Sequence, residues 1–235
     1  MNQATVAPLA TAWMEWEPGR RLPDVARGLE GWQIEKRRPS HWNARRCEGQ
    51  AQYFLKWFFH PPWRCPARRE FMNARRLAEL GVPSVTACGW GRHPRGSFVA
   101  LEAASGVAGD AWLRSAPARD ELHRLARGLA ELAARLHDAG ICHKDLNVYH
   151  VFVHSGSLRI IDVGRVARFW RRRWIVKDLA SLLYTAEREG FPHSCQRDFL
   201  RCYCRASKRS WSRASLLRAV ARKAAVYRAH NEKAK

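Results

Sequence analysis

Apolar and polar positions alternate most clearly in "QAQYFLKWFF", residues 50–59, around Lys56, with Phe54 and Phe58 sharing the lysine's face. A period of two predicts a strand, ended here by His60-Pro61-Pro62. The period then lengthens. "ARREFMNARRLAELGVP" sets Glu70, Ala74 and Leu77 at i, i+4 and i+7, a short helix closed by Gly81 with Pro83 beyond it and Glu70 on its partly apolar face. "TACGWG" and "SFVALEA" predict two further strands joined by a turn at Gly91–Gly96. From Ala118 to Ala139 one continuous stripe (Leu122, Leu125, Ala126, Leu129, Leu132, Ala133, Leu136) predicts a long helix, which Ser115 with Pro117 can start and Gly140 can stop. A polar loop at His143–His150 follows, then strand Val151–His154, the turn Ser155-Gly156-Ser157 and strand Leu158–Ile161. Beyond Gly164 lie "RVARFWRRRWIVK" and helical segments. Residues 1–30 read as a loose lead-in. Strands with one helix among them, then mostly helices, give an α+β chain in two lobes: a small β-rich N-lobe at residues 31–104 and a mostly helical C-lobe at residues 105–235.

Charge changes this picture most. The 235 residues carry 42 Lys and Arg against 21 acids, a formal net charge of +21, which calls for an anionic partner: nucleic acid, lipid headgroups, or a phosphorylated or carboxylated substrate. The excess is uneven. Arg165–Lys177 holds six basic residues and no acid, and residues 197–235 hold twelve against Asp198 and Glu232. In that tail Leu216, Val220, Ala224 and Tyr227 make a narrow apolar stripe, which reads as packing on the helical lobe first and as membrane-surface binding second. No apolar run approaches the ~18 residues that span a bilayer, and the N-terminal stretch lacks a signal-peptide pattern. Seven cysteines without CxxC spacing fit reduced thiols in the cytoplasm. His193, Cys195, Cys202 and Cys204 fit no common zinc spacing.

The chemistry concentrates in "GICHKDLNVYHVFVHSGSLRIIDVGR", residues 140–165, where Asp145 sits in a polar loop and Asp162 ends an apolar run. Phosphoryl transfer needs a cation on the nucleotide phosphates, carboxylates for the metal, and a carboxylate beside the attacking hydroxyl. Kinases present these as strand Lys, helix Glu, His-x-Asp loop, hairpin, and an Asp at a strand end. Lys56, Glu70, His143-Lys144-Asp145, the hairpin and Asp162-Val163-Gly164 occur here in that order. Each alone is an ordinary edge, helix or turn residue; five in sequence on the right elements are a strong signal.

On these residues the chain resembles the lipopolysaccharide core kinase family, the heptose and Kdo kinases, whose fold is a compact relative of the protein kinases. "REFMNARRLAELGVP" is similar to that family's Glu-bearing helix, "GICHKDLNVYHVFV" to its catalytic loop, and "RIIDVGRVARFWRRRWIVKDLASLLYTA" to its metal Asp, Arg-rich segment and following helix. The resemblance implies a two-lobed protein-kinase-like fold and use of ATP and Mg²⁺. It also implies that Lys56 holds the phosphates, Glu70 orients Lys56, Asp145 is the base and Asp162 the metal ligand. Asp178, opening an apolar helix, would brace the catalytic loop together with His143, or else simply face a helix dipole. Arg45, Arg46 and Gly49 replace a Gly-rich phosphate loop, or form a solvated hairpin tip; Glu102 joins the nucleotide-binding group. Arg165, Arg171, Arg172, Arg173 and Lys177 would meet the acceptor. His150 stands where protein kinases place a metal-binding Asn, as in heptose kinases, although imidazole is a poor Mg²⁺ ligand. Asn147 resembles the Kdo kinases instead.

The implied function is phosphorylation of a heptose or Kdo hydroxyl on the anionic lipopolysaccharide inner core, in the cytoplasm, with peripheral contact at the inner membrane face. Two alternatives stand beside it: a protein or small-molecule kinase of the same fold, and a non-catalytic basic module binding nucleic acid. Against the last, the chain has no zinc-finger spacing or RNA-recognition sequence, and its Trp residues are scattered as in a core.

Overall fold

The computed structural model describes residues 12–20, 23, 25, 28–61, 63–169, 171–210 and 212–232. They divide into two compact units, one reaching Glu79 and resuming at Ser84–Ala103, the other made of Leu80–Pro83 and the chain from Ala104.

The first unit is a six-stranded antiparallel sheet with one helix. Its strands are β1 (Ala12–Trp16), β2 (Gln33–Arg38), β3 (His41–Glu48) and β4 (Ala51–Phe59), then, after helix α1 (Pro66–Glu79), β5 (Ala87–His93) and β6 (Gly96–Glu102). They lie in the order β1-β5-β6-β4-β3-β2. The alternation in β4 decides which face is which. Tyr53, Leu55 and Trp57 enter a core with Val25, Leu29, Trp32, Ala44, Phe98 and Ala100, in which a Val, Leu or Phe side chain contributes about 1.5–3 kcal/mol by burial. Lys56, opposite Asn43 and Val99, points the other way. Helix α1 buries Ala67, Glu70, Phe71, Ala74 and Leu77, a face with helical spacing. The expected turn at Gly91–Gly96 is tighter than read: β5 runs on to His93, and the chain reverses at Pro94-Arg95. Only glycine fits at position 96, where φ is +155° and a Cβ would lie 2.1 Å from the Phe58 carbonyl oxygen. The lead-in is also more ordered than read, since β1 pairs with β5. Met14 and Trp16 are exposed on this edge strand, so burial imposes no alternation that the sequence could display.

The second unit is mostly helical. In chain order it contains β7 (Val107–Ala108), α2 (Gly109–Arg114), α3 (Arg119–Asp138), β8 (Ile141–Cys142), β9 (Val151–His154), β10 (Ser157–Ile160), β11 (Ala167–Arg168), α4 (Arg173–Arg188), α5 (His193–Ala206) and α6 (Arg213–Glu232). The strands form two small sheets, β10-β9-β7 and β11-β8. Helix α3 packs on α5, and α4 on α6. The tail stripe faces inward, with Leu216, Val220 and Ala224 buried. Two helix starts differ from the sequence reading. Ser115 closes α2, its hydroxyl donating to the Trp112 carbonyl, and α3 begins where the Ala118 N–H donates to Glu121. Helix α4 begins at Arg173, not at Asp178, so Asp178 lies inside the helix and a dipole role at its N-terminus does not apply. Among the described residues no helix is long and apolar enough to cross a membrane.

Candidate active site

In the first unit β4 and α1 together present one buried ion pair. Lys56 Nζ lies 2.6 Å from Glu70 Oε1, with 11% and 2% of the two side chains exposed. The strand aims Lys56 away from the apolar core, and the helix period places Glu70 against it.

The other three predicted nucleotide contacts on β3 and its turn do not form one loop. Arg45 and Arg46 sit in the middle of β3, on alternate faces. Arg45 pairs with Glu35 at 2.9 Å and Arg46 with Glu48 at 3.0 Å. Gly49, φ +61°, makes the turn at the far end of that strand. The reversal between β2 and β3 falls instead at Pro39-Ser40, because eight residues of His41–Glu48 pair continuously with β4 and leave no loop there. Glu102 closes β6 and accepts from Arg20 at 2.9 Å in an exposed ion pair.

In the second unit the polar loop after β8 is anchored from beneath. Asp178, fully buried, accepts the His143 N–H at 2.7 Å. Thr185, also on α4, accepts the Val148 N–H at 3.0 Å. The His143 ring is tied to the far strand: Nε2 donates to the Ile161 carbonyl at 3.0 Å. Burial lowers the pKa of this imidazole, which suits the neutral Nε2–H tautomer. Ile161 N–H in turn donates to the His150 carbonyl at 2.9 Å. The residue before Asp162 is thus bonded on both sides to the loop that carries Asp145.

This bracing brings the predicted carboxylates together. One ligand atom each of Asp145, His150 and Asp162 lies within 4.8 Å of the others. Asp162 takes a left-handed backbone, φ +54° and ψ +50°, a conformation Asp tolerates better than most residues. His150 Nε2 lies 3.6 Å from Asp162 Oδ2. Asn147 serves as a local clamp: its Oδ1 accepts the His150 N–H at 3.1 Å and its Nδ2 donates to the Asp145 carbonyl at 3.0 Å. Two carboxylates, partly exposed, match the oxygen ligands and retained waters that Mg²⁺ requires, while the imidazole nitrogen is the weaker part of the set.

The basic residues separate in space. Arg165 Nη1 approaches Asp145 Oδ2 at 3.4 Å. Lys177 Nζ donates to the Lys144 carbonyl at 2.6 Å. Arg171 and Arg173 are exposed. Arg172 is the exception to the acceptor-binding expectation: its Nη1 donates to Ser215 on α6 at 3.0 Å, and it is half-buried. Its direction follows from its place just before α4, against the packed α6. Sequence reasoning missed His137, whose Nε2 lies 3.5 Å from Asp178 Oδ2 with both side chains fully buried. Within an apolar helix stripe it gave no separate signal. Thr185 was missed as well, although a polar residue on the buried face of a helix is a signal that could have found it.

Residues 31–203 match the lipopolysaccharide kinase (Kdo/WaaP) family. The lipopolysaccharide core heptose(I) kinase WaaP of Pseudomonas aeruginosa is 33% identical over 182 residues, 67% of each chain. The solved structure of WaaP in complex with acyl carrier protein is similar with a TM-score of 0.65 and 28% identity, covering 82% of this chain and 87% of that one. An aminoglycoside-3'-phosphotransferase of type VIII shares the fold, with a TM-score of 0.59 at 20% identity over 80% of this chain and 92% of that one.

Proposed function

The chain belongs to the lipopolysaccharide kinase (Kdo/WaaP) family, and we propose that it transfers the γ-phosphoryl group of ATP to a heptose or Kdo hydroxyl of the lipopolysaccharide inner core. The observation that carries this reading is the Asp145, His150 and Asp162 cluster, with ligand atoms within 4.8 Å, at the end of a braced hairpin.

In this reading Asp145 accepts the proton of the attacking hydroxyl, and Arg165 beside it steers the carboxylate. Glu70 holds the Lys56 ammonium toward the nucleotide phosphates. Asp162, with His150 as a neighbour, holds Mg²⁺, which supplies charge neutralisation to the phosphates when bound. The exposed cations Arg171 and Arg173, with the half-buried Lys177, draw an acceptor that bears phosphates and carboxylates. Asp178, His143, His137 and Thr185 do not react; they keep the loop from drifting, and misplacement by about 1 Å can cost roughly 10²-fold. The site of action is the cytoplasmic face of the inner membrane, reached peripherally.

The deciding experiment incubates radiolabelled ATP and the purified protein with deacylated lipopolysaccharide cores, proteins and small sugars. Label on the cores alone supports the reading. Label on proteins or on free small sugars would replace it with another kinase of the same fold.

A further inference from the structure

Lys144 has a backbone that long L side chains rarely adopt, with φ +67°. Strain of this kind persists where surrounding structure holds it, and it points to a task. The flanking residues are held by Asp178 and Asn147, and Lys177 Nζ donates to the Lys144 carbonyl itself at 2.6 Å. The Lys144 ammonium stands over the Trp174 indole, 5.2 Å from the ring centroid. Two more cations meet the same ring, the Arg173 guanidinium at 5.0 Å and Lys177 Nζ at 5.7 Å. Among the described residues none of these three makes an ion pair with a carboxylate. The indole attracts each of them modestly, but like charges gathered on one ring repel one another, and folding by itself supplies no reason to assemble them.

We infer that Lys144, Arg173 and Lys177, held around Trp174 and one residue from Asp145, form a subsite for a phosphate or carboxylate of the acceptor sugar close to the hydroxyl that is phosphorylated. The inference rests on the kinase reading of Asp145 for its location. The two ammonium groups supply adaptable point charges and the guanidinium a planar fork, a set suited to an oxyanion. Trp174 holds the cations and is not a stacking platform for sugar, because its ring is already covered. Selectivity follows: an acceptor lacking a charge beside its reactive hydroxyl is disfavoured. Arg172, turned to Ser215, takes no part.

The test uses Lys144→Gly, because glycine adopts φ +67° without steric cost while the cation is lost with the rest of the side chain. Binding of two ligands is measured by calorimetry without ATP: native deacylated core, and the same core after phosphatase treatment and carboxyl reduction. Loss of one charge-assisted contact should weaken native-core binding roughly tenfold or more, while the neutralised core binds wild type and variant alike. Lys144→Arg should keep most of the preference, and Arg173→Gln should lose it. Inorganic phosphate should compete with native core on the wild type and far less on Lys144→Gly. Equal native-core affinity in wild type and Lys144→Gly overturns the inference. So does an equal loss for both ligands, which would assign Lys144 to loop geometry. Charge-selective binding without phosphate transfer to any acceptor would leave the subsite standing and overturn the kinase reading instead.

Discussion

Separating stability from activity at the Lys56–Glu70 pair tests the first unit of the fold most directly. Both groups are out of water, 9% and 1% exposed as whole residues, with 2.6 Å between the charged atoms. Removing one partner from such a pair strands the other, at about 3–5 kcal/mol. Glu70→Ala should sit near the lower figure, because the Lys56 stem can swing its ammonium toward solvent. Lys56→Met should sit near the upper one, because the carboxylate it leaves on α1 has no such reach. Removing both charges as Lys56→Met/Glu70→Leu should cost little or even stabilise, since apolar replacements of buried pairs are often neutral or favourable. The cycle should therefore depart from additivity by at least about 3 kcal/mol. In thermal unfolding the single variants should melt roughly 6–20 °C lower, at about 2–4 °C per kcal/mol for a chain of this size. Activity should follow a different order: the single variants show a raised ATP requirement and lower turnover, and the double variant stays inactive although it is stable. A double variant whose stability loss equals the sum of the two single losses would refute the buried-pair reasoning.

Asp145→Asn should keep the fold and lower kcat by about 10²–10⁴-fold, whereas Asp162→Asn should also weaken Mg·ATP binding; Asp162→Asn with wild-type turnover and wild-type nucleotide affinity would contradict the site. Joint replacement of Arg171 and Arg173 by Gln should raise the acceptor KM with the ATP KM nearly unchanged, and added salt should inhibit the wild type more than the variant, since exposed charges are screened over about 8 Å at 0.15 M. Arg172→Gln should instead lower stability, read in urea, with little effect on acceptor KM. His93 should make the protein acid-sensitive. Burial lowers its pKa to about 4, and the neutral ring donates from Nε2 to the Phe58 carbonyl while Nδ1 accepts the Arg95 N–H. The unfolded chain binds this proton near pH 6.5, so His93 favours folding fully above that pH and loses its contribution as pH falls toward 4. Urea unfolding across pH 4–7 should show a shallower acid loss in His93→Gln, and identical profiles would exclude the effect.

Much of the layout was legible because it is written in local periodicity. The alternation around Lys56, the α1 spacing that turns Glu70 inward and the stripe of α3 are each set by which side chains must leave water, and each element formed within a few residues of its expected span. The order Lys, Glu, His-x-Asp, hairpin, Asp could be read for the same reason, since short-range geometry places each residue on its element. Other features depend on contacts between segments distant in the chain. The β1 strand forms on an exposed sheet edge, where no buried face imprints a pattern. Arg45 and Arg46 became strand residues because continuous pairing with β4 left no loop for them. Arg172 parted from its neighbours because α6 stood beside it with Ser215. His137 reaches Asp178 only across the packed interior. Lys144 shows the division most plainly. Its place beside Asp145 is sequence, but its left-handed backbone and its station over Trp174 belong to a packed arrangement in which Lys177, 33 residues on, bonds its carbonyl. A linear pattern records which face of an element is buried; it does not record which distant side chain completes a hydrogen bond, and that was decided by tertiary packing alone.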